Sequence, residues 1–285
     1  MILSPVEQSI KRKIESAGVP LKDWDINIYR GVLTGYNDAF IISGAKRDEI
    51  LAECRTEEER RKTDELIRPV LRGRDIKRYG YEFADLYLIA TFPSMHYNIE
   101  EYPAVKNYLL SFGIERLEQT GKEYIVNGEK IKARKKTNNK WFETQDSISY
   151  WDDFFKQKIV YPNMTKFLPF VYDDKAFLTN QKCFIITGNA MAFLTAFFNS
   201  SLFKYCFRES FPELLGGTRE LSKIFFDKIP VIQVDEKTEI KFKTAVLDIQ
   251  SEYTESKARE IDSMIFDLYN LTAEERDAIG YITIK

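Results

Sequence analysis

Short apolar runs separated by turn residues fill the middle of the chain. Residues 86–92, 158–161, 170–172 and 183–186 are rich in β-branched and aromatic side chains. Such side chains fit the pleated surface of a sheet, so each run predicts a short strand. Asn127-Gly128 stands between two further short runs, which is the strongest local signal of a β-hairpin. The middle of the chain is therefore expected to be rich in β-structure.

Helix-start signals stand near both ends of the chain. Ser4 suits the N-cap, Pro5 the first helical position and Glu7 the third residue of a capping box, and Gly18 is expected to end this helix. Residues 272–275, Thr-Ala-Glu-Glu, form another capping box and predict a short terminal helix. Both ends are therefore expected to be helical.

Apolar residues at helical spacing predict further helices. One set follows Gly188, and residues 202–206 suggest a second helix directly after it. The members of the first set are Met191, Leu194, Phe197 and Phe198. A later set steps by four, three and four residues, as a helix seam does. Its members are Phe242, Val246, Ile249 and Tyr253.

Signals in the first half of the chain are mixed. Residues 25–32 and 39–42 are interpreted as two short strands joined by a tight loop. A capping box at Thr56 opens a charged helix that Arg68-Pro69 must end, and residues 105–117 are expected to be helical. Together these elements predict an α+β fold with a β-rich centre and helical N- and C-terminal segments.

Charge and cysteine content limit the class of protein. The formal net charge is −2, but residues 235–285 carry 12 acidic and 7 basic side chains, so the acidic excess lies in the tail. Three scattered cysteines without a Cys-x-x-Cys pair fit a reducing cytoplasm. The densest apolar stretch, residues 190–198, is far shorter than the ~20 residues that span a bilayer. We expect a soluble, cytoplasmic protein without a membrane partner.

Motifs for catalysis are missing from the sequence. A methyltransferase acting on adenine needs a glycine-rich turn and an Asn/Asp-Pro-Pro-aromatic loop; Tyr161-Pro162-Asn163 has one proline and the wrong order. Glu239-Ile240-Lys241 supplies only a fragment of a metal-dependent nuclease motif. His96 is the single histidine, which excludes a multi-histidine metal site. We expect no catalytic residue and no metal ligand in this chain.

Two basic segments could bind a polyanion. The arginine segment, residues 68–78, has one acidic residue, and Gly73 and Gly80 indicate a loop. Its cations are Arg68, Arg72, Arg74, Lys77 and Arg78. Arginine can hold phosphate or the guanine edge with its planar fork. A solvated loop remains an alternative for this segment.

The second basic segment, the lysine segment, comprises residues 130–140 and contains no acid. Its polar residues are Lys130, Lys132, Arg134, Lys135, Lys136, Asn138, Asn139 and Lys140, together with Thr137. Lysines follow phosphates, and asparagine can bond adenine with both atoms of its amide. A solvated loop is again the alternative.

Several segments, in the same order, resemble the TaqI-like C-terminal specificity domain, which occurs in adenine-specific DNA methyltransferases and single-chain type II restriction-modification enzymes. Residues 21–42 contain Gly-Val-Leu-Thr-Gly-Tyr-Asn-Asp-Ala-Phe, and residues 67–79 contain Arg-Pro-Val-Leu-Arg-Gly-Arg-Asp-Ile. Residues 141–143, 158–162 and 198–202 and the ending at 260–272 are also similar to those enzymes. The resemblance runs from about residue 21 to residue 279.

The resemblance implies a target recognition domain that binds double-stranded DNA for a methyltransferase domain, present in cis or in trans. We divide the chain into an N-terminal helix and linker (1–24), the target recognition domain (25–234) and a C-terminal helical segment (235–285). S-adenosylmethionine is expected in the methyltransferase domain, and no cofactor in this chain. The chain is then a fragment or a separately encoded subunit, with or without an accompanying nuclease.

Thr34 and Asn37 would present polar groups on a turn that Gly31 and Gly35 permit, or would only satisfy the amides of that turn. The candidate DNA-binding residues are Thr34, Asn37, Arg72, Arg74, Lys77, Arg78, Lys132, Arg134, Lys135, Lys136, Asn138, Asn139 and Lys140. We expect both basic segments on one side of the domain, and the helical ends packed together or against a partner, away from DNA.

Three alternatives remain from the sequence. The first is a protein-interaction adaptor whose acidic helical tail binds a partner subunit. The second is half of a specificity subunit from a multi-subunit restriction system, although no internal repeat is visible. The third is an enzyme with an unrecognised site.

Overall fold

The computed structural model describes residues 4–282. Residues 1–3 and 283–285, which the sequence analysis assigns to the terminal segments, lie outside the described residues. The helices are α1 (Pro5–Ala17), α2 (Asn37–Phe40), α3 (Gly44–Ala52), α4 (Glu57–Leu66), α5 (Pro103–Leu110), α6 (Ile114–Leu117), α7 (Met191–Asn199), α8 (Ser201–Phe207), α9 (Lys223–Phe226), α10 (Glu236–Ser251), α11 (Glu255–Leu268) and α12 (Ala273–Ile279).

The strands are short and fall mainly between residues 18 and 188. They are β1 (Gly18–Pro20), β2 (Ile26–Arg30), β3 (Ile41–Ser43), β4 (Ile67–Leu71), β5 (Ile76–Lys77), β6 (Gly80–Tyr81), β7 (Leu86–Ile89), β8 (Glu123–Val126), β9 (Glu129–Lys132), β10 (Lys158–Pro162), β11 (Met164–Thr165), β12 (Val171–Asp173), β13 (Leu178–Thr179), β14 (Cys183–Gly188), β15 (Arg219–Glu220) and β16 (Pro230–Ile232). The predicted α+β class with helical ends is confirmed.

In the part of the chain that the structure describes, two four-stranded sheets form the centre of the molecule. The first has the strand order β12-β10-β14-β2 and is antiparallel throughout, with Ile159 opposite Ile186. The second has the order β13-β4-β7-β3, in which β13 and β4 run parallel. Within residues 4–282, four two-stranded ribbons accompany these sheets, namely β1-β16, β11-β15, β5-β6 and β8-β9.

The two sheets lie between two layers of helices. Successive residues of a strand face opposite sides of its sheet, so one strand can contact both the other sheet and a helical layer. In β10, Val160 packs between the two sheets, whereas Ile159 packs against the helices of the first layer. In β7, Leu88 lies between the sheets and Ile89 lies on the opposite side, with α3 to α5. The architecture is therefore helices, sheet, sheet, helices.

The terminal helices belong to the larger helical layer. The Ser4 capping box of α1 and the Thr272 capping box of α12 are both formed, as predicted, and α1 ends before Gly18. Glu275 joins the two helices through Lys13, at 2.6 Å, and Ser9, at 2.7 Å. Within residues 4–282, no helix is long and apolar enough to cross a membrane.

The β8-β9 hairpin is confirmed, with Asn127 (φ 51°) and Gly128 (φ 83°) both in the left-handed region that its tight turn requires. Of the two short strands expected at residues 25–32 and 39–42, the first is present as β2 and the second only in part, because residues 37–40 form α2 and the strand β3 begins at Ile41. β3 pairs with β7 in the other sheet, and Phe40 is buried in the outer core. Residues 105–117 also form two helices, divided at Gly113 (φ 84°).

Tyr253 is not part of the buried seam of α10. Phe242, Val246 and Ile249 are buried, but α10 ends at Ser251 and Tyr253 is 37% exposed. The seam residues pack beside α7, and Phe193 of that helix meets Phe242 with ring centroids 5.2 Å apart. The C-terminal seam is therefore covered by the protein's own core.

Candidate nucleic-acid interface

A cleft of about 1380 Å³ runs between the arginine segment and the helical layer. Its lining includes residues 72–74 and 76–82, together with Pro162, Lys182 and the end of α10. Asn37 and Asp38 of α2 border the cleft as well. The cleft therefore combines elements from the two sheets and the C-terminal helices.

The arginine segment is regular and not the loop that its glycines suggested. Residues 73–75 form a 3-10 turn, and β5 and β6 then form a ribbon in which Ile76 pairs with Tyr81. A Cβ atom on Gly73 would lie 3.2 Å from the Lys182 carbonyl oxygen and 3.3 Å from Pro162 Cβ. The turn is thus packed closely on the ends of β10 and β14, where any larger side chain would crowd Lys182 and Pro162.

Arg72 and Arg78 are engaged inside the protein. Arg72 donates Nη2 to Asp75 Oδ1 at 2.8 Å and Nε to Oδ2 at 3.0 Å, and this pairing raises the pKa of Arg72. Arg78 donates two hydrogen bonds to the Asn199 carbonyl oxygen, at 3.1 and 3.0 Å, and lies 3.9 Å from the buried Asp262. Both arginines therefore hold the arginine segment in its position in the fold.

Arg74 differs from its neighbours because its side chain is exposed and forms no ion pair or side-chain hydrogen bond with residues 4–282. Lys77, also exposed, lies 3.5 Å from Glu82 Oε2, a pairing that water screens at this distance. Of the candidate cations in this segment, Arg74 is therefore the one that the fold leaves available.

Two lysines that sequence reasoning missed complete the basic character of the cleft. Lys182 and Lys204 are exposed, line the cleft, and have no acidic partner among the described residues. Partial burial and the positive charges of Arg208 and Arg78 lower the pKa of Lys204. Each lysine is isolated in the sequence from other cations of the cleft, so no local pattern could have identified it.

The two candidate DNA-binding residues of the turn at residues 34–37 differ in exposure. Thr34 is buried; its hydroxyl donates to Asn37 Oδ1 at 2.7 Å and accepts from the Tyr36 N–H at 3.2 Å. Thr34 therefore satisfies the turn itself, as the second of the two sequence interpretations held. Asn37 is exposed and borders the cleft.

Arg134 is a structural residue of the lysine segment. Its buried guanidinium donates to the carbonyl oxygens of Leu117 (2.8 Å), Thr34 (2.9 Å) and Glu143 (2.7 Å), and also to that of Trp141. Burial lowers the pKa of Arg134 to about 10. The side chain thus ties the lysine segment to the turn at residues 34–37, with four of its five N–H groups donated to backbone carbonyl oxygens.

Asn139 is also engaged internally. Its amide nitrogen donates to the carbonyl oxygens of Thr144 at 3.2 Å and Gln145 at 2.9 Å. The remaining candidates of the lysine segment are exposed: Lys132, Lys135, Lys136, Asn138 and Lys140. None of the five is among the residues that line the cleft, so a common surface for both segments stays a prediction.

The end of α10 contradicts the expectation that the helical tail stays away from the basic surface. Ile249, Gln250 and Tyr253 line the cleft. Gln250 is held there by two hydrogen bonds to the Tyr172 backbone, at 2.8 and 3.0 Å, and Tyr253 OH accepts from Arg78 at 3.2 Å. The last turn of α10 therefore belongs to the cleft wall, although none of the acidic residues of α10 is among the residues that line the cleft.

Glu239 and His96, which the sequence analysis considered for a nuclease motif and a metal site, are respectively hydrogen-bonded inside the protein and exposed at its surface. Glu239 accepts hydrogen bonds from the N–H groups of Ala192 and Phe193 at the start of α7, at 2.9 and 2.8 Å, so its place is structural. His96 is an exposed residue at the end of a 3-10 turn. Within residues 4–282, no cluster of three or more His, Cys, Asp or Glu side chains could hold a metal ion.

The family model of the TaqI-like C-terminal specificity domain matches residues 68–231, more than half of the chain. The chain belongs to this family. The match confirms the resemblance found in the sequence, and it includes both basic segments of this specificity domain. No curated protein sequence matches the chain.

Two solved structures have the same fold. The type IIG restriction endonuclease BpuSI has a TM-score of 0.55 and 13% identity, with 93% of this chain and 32% of BpuSI covered. The type IIL restriction-modification enzyme MmeI, solved in complex with DNA, has a TM-score of 0.55 and 12% identity, with 89% of this chain and 34% of MmeI covered. This specificity domain thus spans about a third of the length of either solved chain.

Proposed function

We propose that this chain binds duplex DNA in the basic cleft and gives target specificity to an adenine-specific DNA methyltransferase or a type II restriction-modification enzyme. The observation that carries the proposal is the set of unpaired cations, Arg74, Lys182 and Lys204, brought to one cleft of a specificity domain. An exposed cation without an acidic partner is free to neutralise a phosphate, and phosphate contacts dominate affinity for DNA.

The three cations would bind different parts of the DNA, because lysine and arginine differ in chemistry. Lys182 and Lys204 are compact charges suited to phosphates, whereas Arg74 has a planar fork that can bond a guanine edge or a phosphate. Arg72 holds this part of the chain through Asp75, so that Arg74 is presented from a fixed turn. Asn37, at the border of the cleft, adds an amide that can bond adenine.

Catalysis would be supplied by the methyltransferase domain, in cis or in trans. S-adenosylmethionine would bind there, and that domain would extrude the target adenine from the duplex. The adaptor alternative would have to use the exposed acidic side chains of the tail, because its apolar seam, from Phe242 to Ile249, is buried in the protein's own core.

The proposal is tested by measuring duplex binding as a function of salt with a fluorescent mixed-sequence duplex. Each phosphate neutralised contributes roughly −0.9 to the slope of log K against log salt, so replacing Arg74, Lys182 and Lys204 with alanine should flatten the slope by up to about 2.7. A control variant replaces Lys22, Lys237 and Lys241, which are exposed and do not line the cleft. Equal slopes for the two triple variants would contradict the cleft as the binding site.

The division of labour has a separate test. The pure chain, incubated with labelled S-adenosylmethionine and mixed-sequence DNA, should transfer no methyl group and cut no DNA. Methyl incorporation or cleavage by the pure chain would contradict this part of the proposal.

A further inference from the structure

An aromatic side chain stands almost fully in solvent at the edge of the basic cleft. Phe167 is 80% exposed, its neighbour Met164 is 48% exposed, and both line the cleft. Single exposed apolar residues are common on protein surfaces, and Leu215 is one, at 97% exposure. Phe167 and Met164 differ from Leu215 because they share the cleft with the unpaired cations.

The segment that carries both residues, residues 163–168, is firmly attached at both ends. The Asn163 N–H donates to the Lys182 carbonyl oxygen at 2.8 Å, and the Asn163 carbonyl oxygen accepts from the Leu221 N–H at 2.8 Å. Met164 pairs with Glu220 in the β11-β15 ribbon, and Leu168 is buried in the core. The exposed side chains are thus presented by an ordered backbone, which limits the entropy lost when they bind.

A hydrogen bond sets the turn that exposes the aromatic ring. The Phe167 N–H donates to Thr165 Oγ1 at 3.2 Å, and the next residue, Leu168, has a positive φ of 51°. This turn sends Leu168 into the core and leaves Phe167 outside. The exposure of the ring therefore follows from the conformation of the local backbone.

The surroundings of the ring are cationic. Lys166 is exposed beside it in the chain, and Lys182 is bonded through its backbone to the start of the segment. Gly73, the neighbour of Arg74, packs on the same Lys182 carbonyl. An apolar side chain set among cations matches the chemistry of proteins that insert a side chain between base pairs, where cations hold the phosphates and the apolar group replaces base stacking.

We propose that Phe167, with Met164 beside it, inserts between two stacked base pairs of duplex DNA bound in the cleft. This inference rests on the proposed function. Partial unstacking at the inserted step bends the duplex and lowers the cost of extruding a neighbouring base into a catalytic domain. The apolar pair would then contribute to base extrusion without any catalytic chemistry of its own.

The test compares an intact mixed-sequence duplex with the same duplex containing one central abasic site, where stacking is already broken. The full chain should bind the abasic duplex about tenfold more tightly, because it no longer has to unstack a step. Phe167→Ala should lose this preference and keep the salt slope of the wild type, since no charge is removed. Phe167→Trp, which restores a large aromatic ring, should retain the preference.

Leu215→Ala is the matched control, because Leu215 is exposed but does not line the cleft; it should leave the preference unchanged. Thermal unfolding of Phe167→Ala should match the wild type, since the ring is mostly in solvent. If the wild type shows salt-dependent binding without a preference, or if Phe167→Ala keeps the preference, insertion is wrong and the proposed function stands. If the chain binds no duplex at all, both proposals fail.

Discussion

Replacing Lys158 with methionine should destabilise the protein strongly. Lys158 and Asp173 form a buried ion pair, with Nζ 2.6 Å from Oδ2 and side chains that are 0% and 1% exposed. Lys158 Nζ also donates to the Phe154 carbonyl oxygen, and burial lowers the pKa of Lys158. Neither charged group can be hydrated when its partner is removed.

The loss of stability in Lys158→Met depends on the hydrogen bonds that Asp173 keeps. Its carboxylate still accepts from the N–H groups of Lys175 at 2.8 Å and Phe177 at 3.0 Å, so it keeps part of its stabilisation. Removing one partner of a buried pair costs roughly 3–5 kcal/mol, and we expect Lys158→Met near the lower limit, about 3 kcal/mol. The effect extends toward the cleft, because Phe177 packs on Tyr81 of β6 with ring centroids 5.1 Å apart.

The assay is urea unfolding at neutral pH for Lys158→Met, Asp173→Asn and the double variant. The double variant should be more stable than the sum of the single losses predicts, with a coupling of about 0.5–3 kcal/mol, because no unpaired charge remains buried. The reasoning would be refuted if Lys158→Met cost less than about 1 kcal/mol or if the two single losses were additive.

Three further predictions concern single residues. Burial raises the pKa of Glu275, but hydrogen bonds from Lys13, the Thr272 backbone and Ser9 outweigh it and hold the pKa at about 2. Because the folded-state pKa is below the ordinary value of 4.5, the ionised Glu275 carboxylate stabilises the fold above pH 4.5, and this stabilisation is lost as the pH falls toward 2. Acid unfolding of Glu275→Gln should lack this loss of stability between pH 4.5 and 2. Arg134→Ala should cost about 3 kcal/mol in urea unfolding, because it removes four hydrogen bonds to carbonyl oxygens, three of them buried, and only the Glu143 oxygen keeps a side-chain donor, Gln119. A loss below about 1 kcal/mol would show that water replaces the guanidinium. Arg74→Ala should cost about 1–3 kcal/mol on the cognate duplex and little on random DNA if Arg74 reads a base; equal losses on both duplexes would assign it to a phosphate.

The sequence determined the local elements and the family. The capping boxes at Ser4 and Thr272 and the Asn127-Gly128 hairpin were predictable, because each depends on residues within four positions of one another in the chain. The ordered motifs, in particular residues 67–79, identified the specificity-domain family for the same reason, since a motif is a local string.

Only the tertiary structure decided which charged groups remain free. Arg134 and Arg78 have partners more than 90 residues away in the chain, at Thr34 and Asn199, so their internal roles left no trace in a local charge pattern. Lys182 and Lys204 join Arg74 in the cleft because the packing of the sheets and helices brings distant segments together. Charge density is a property of the sequence, whereas the availability of a charge depends on the partners that folding places beside it.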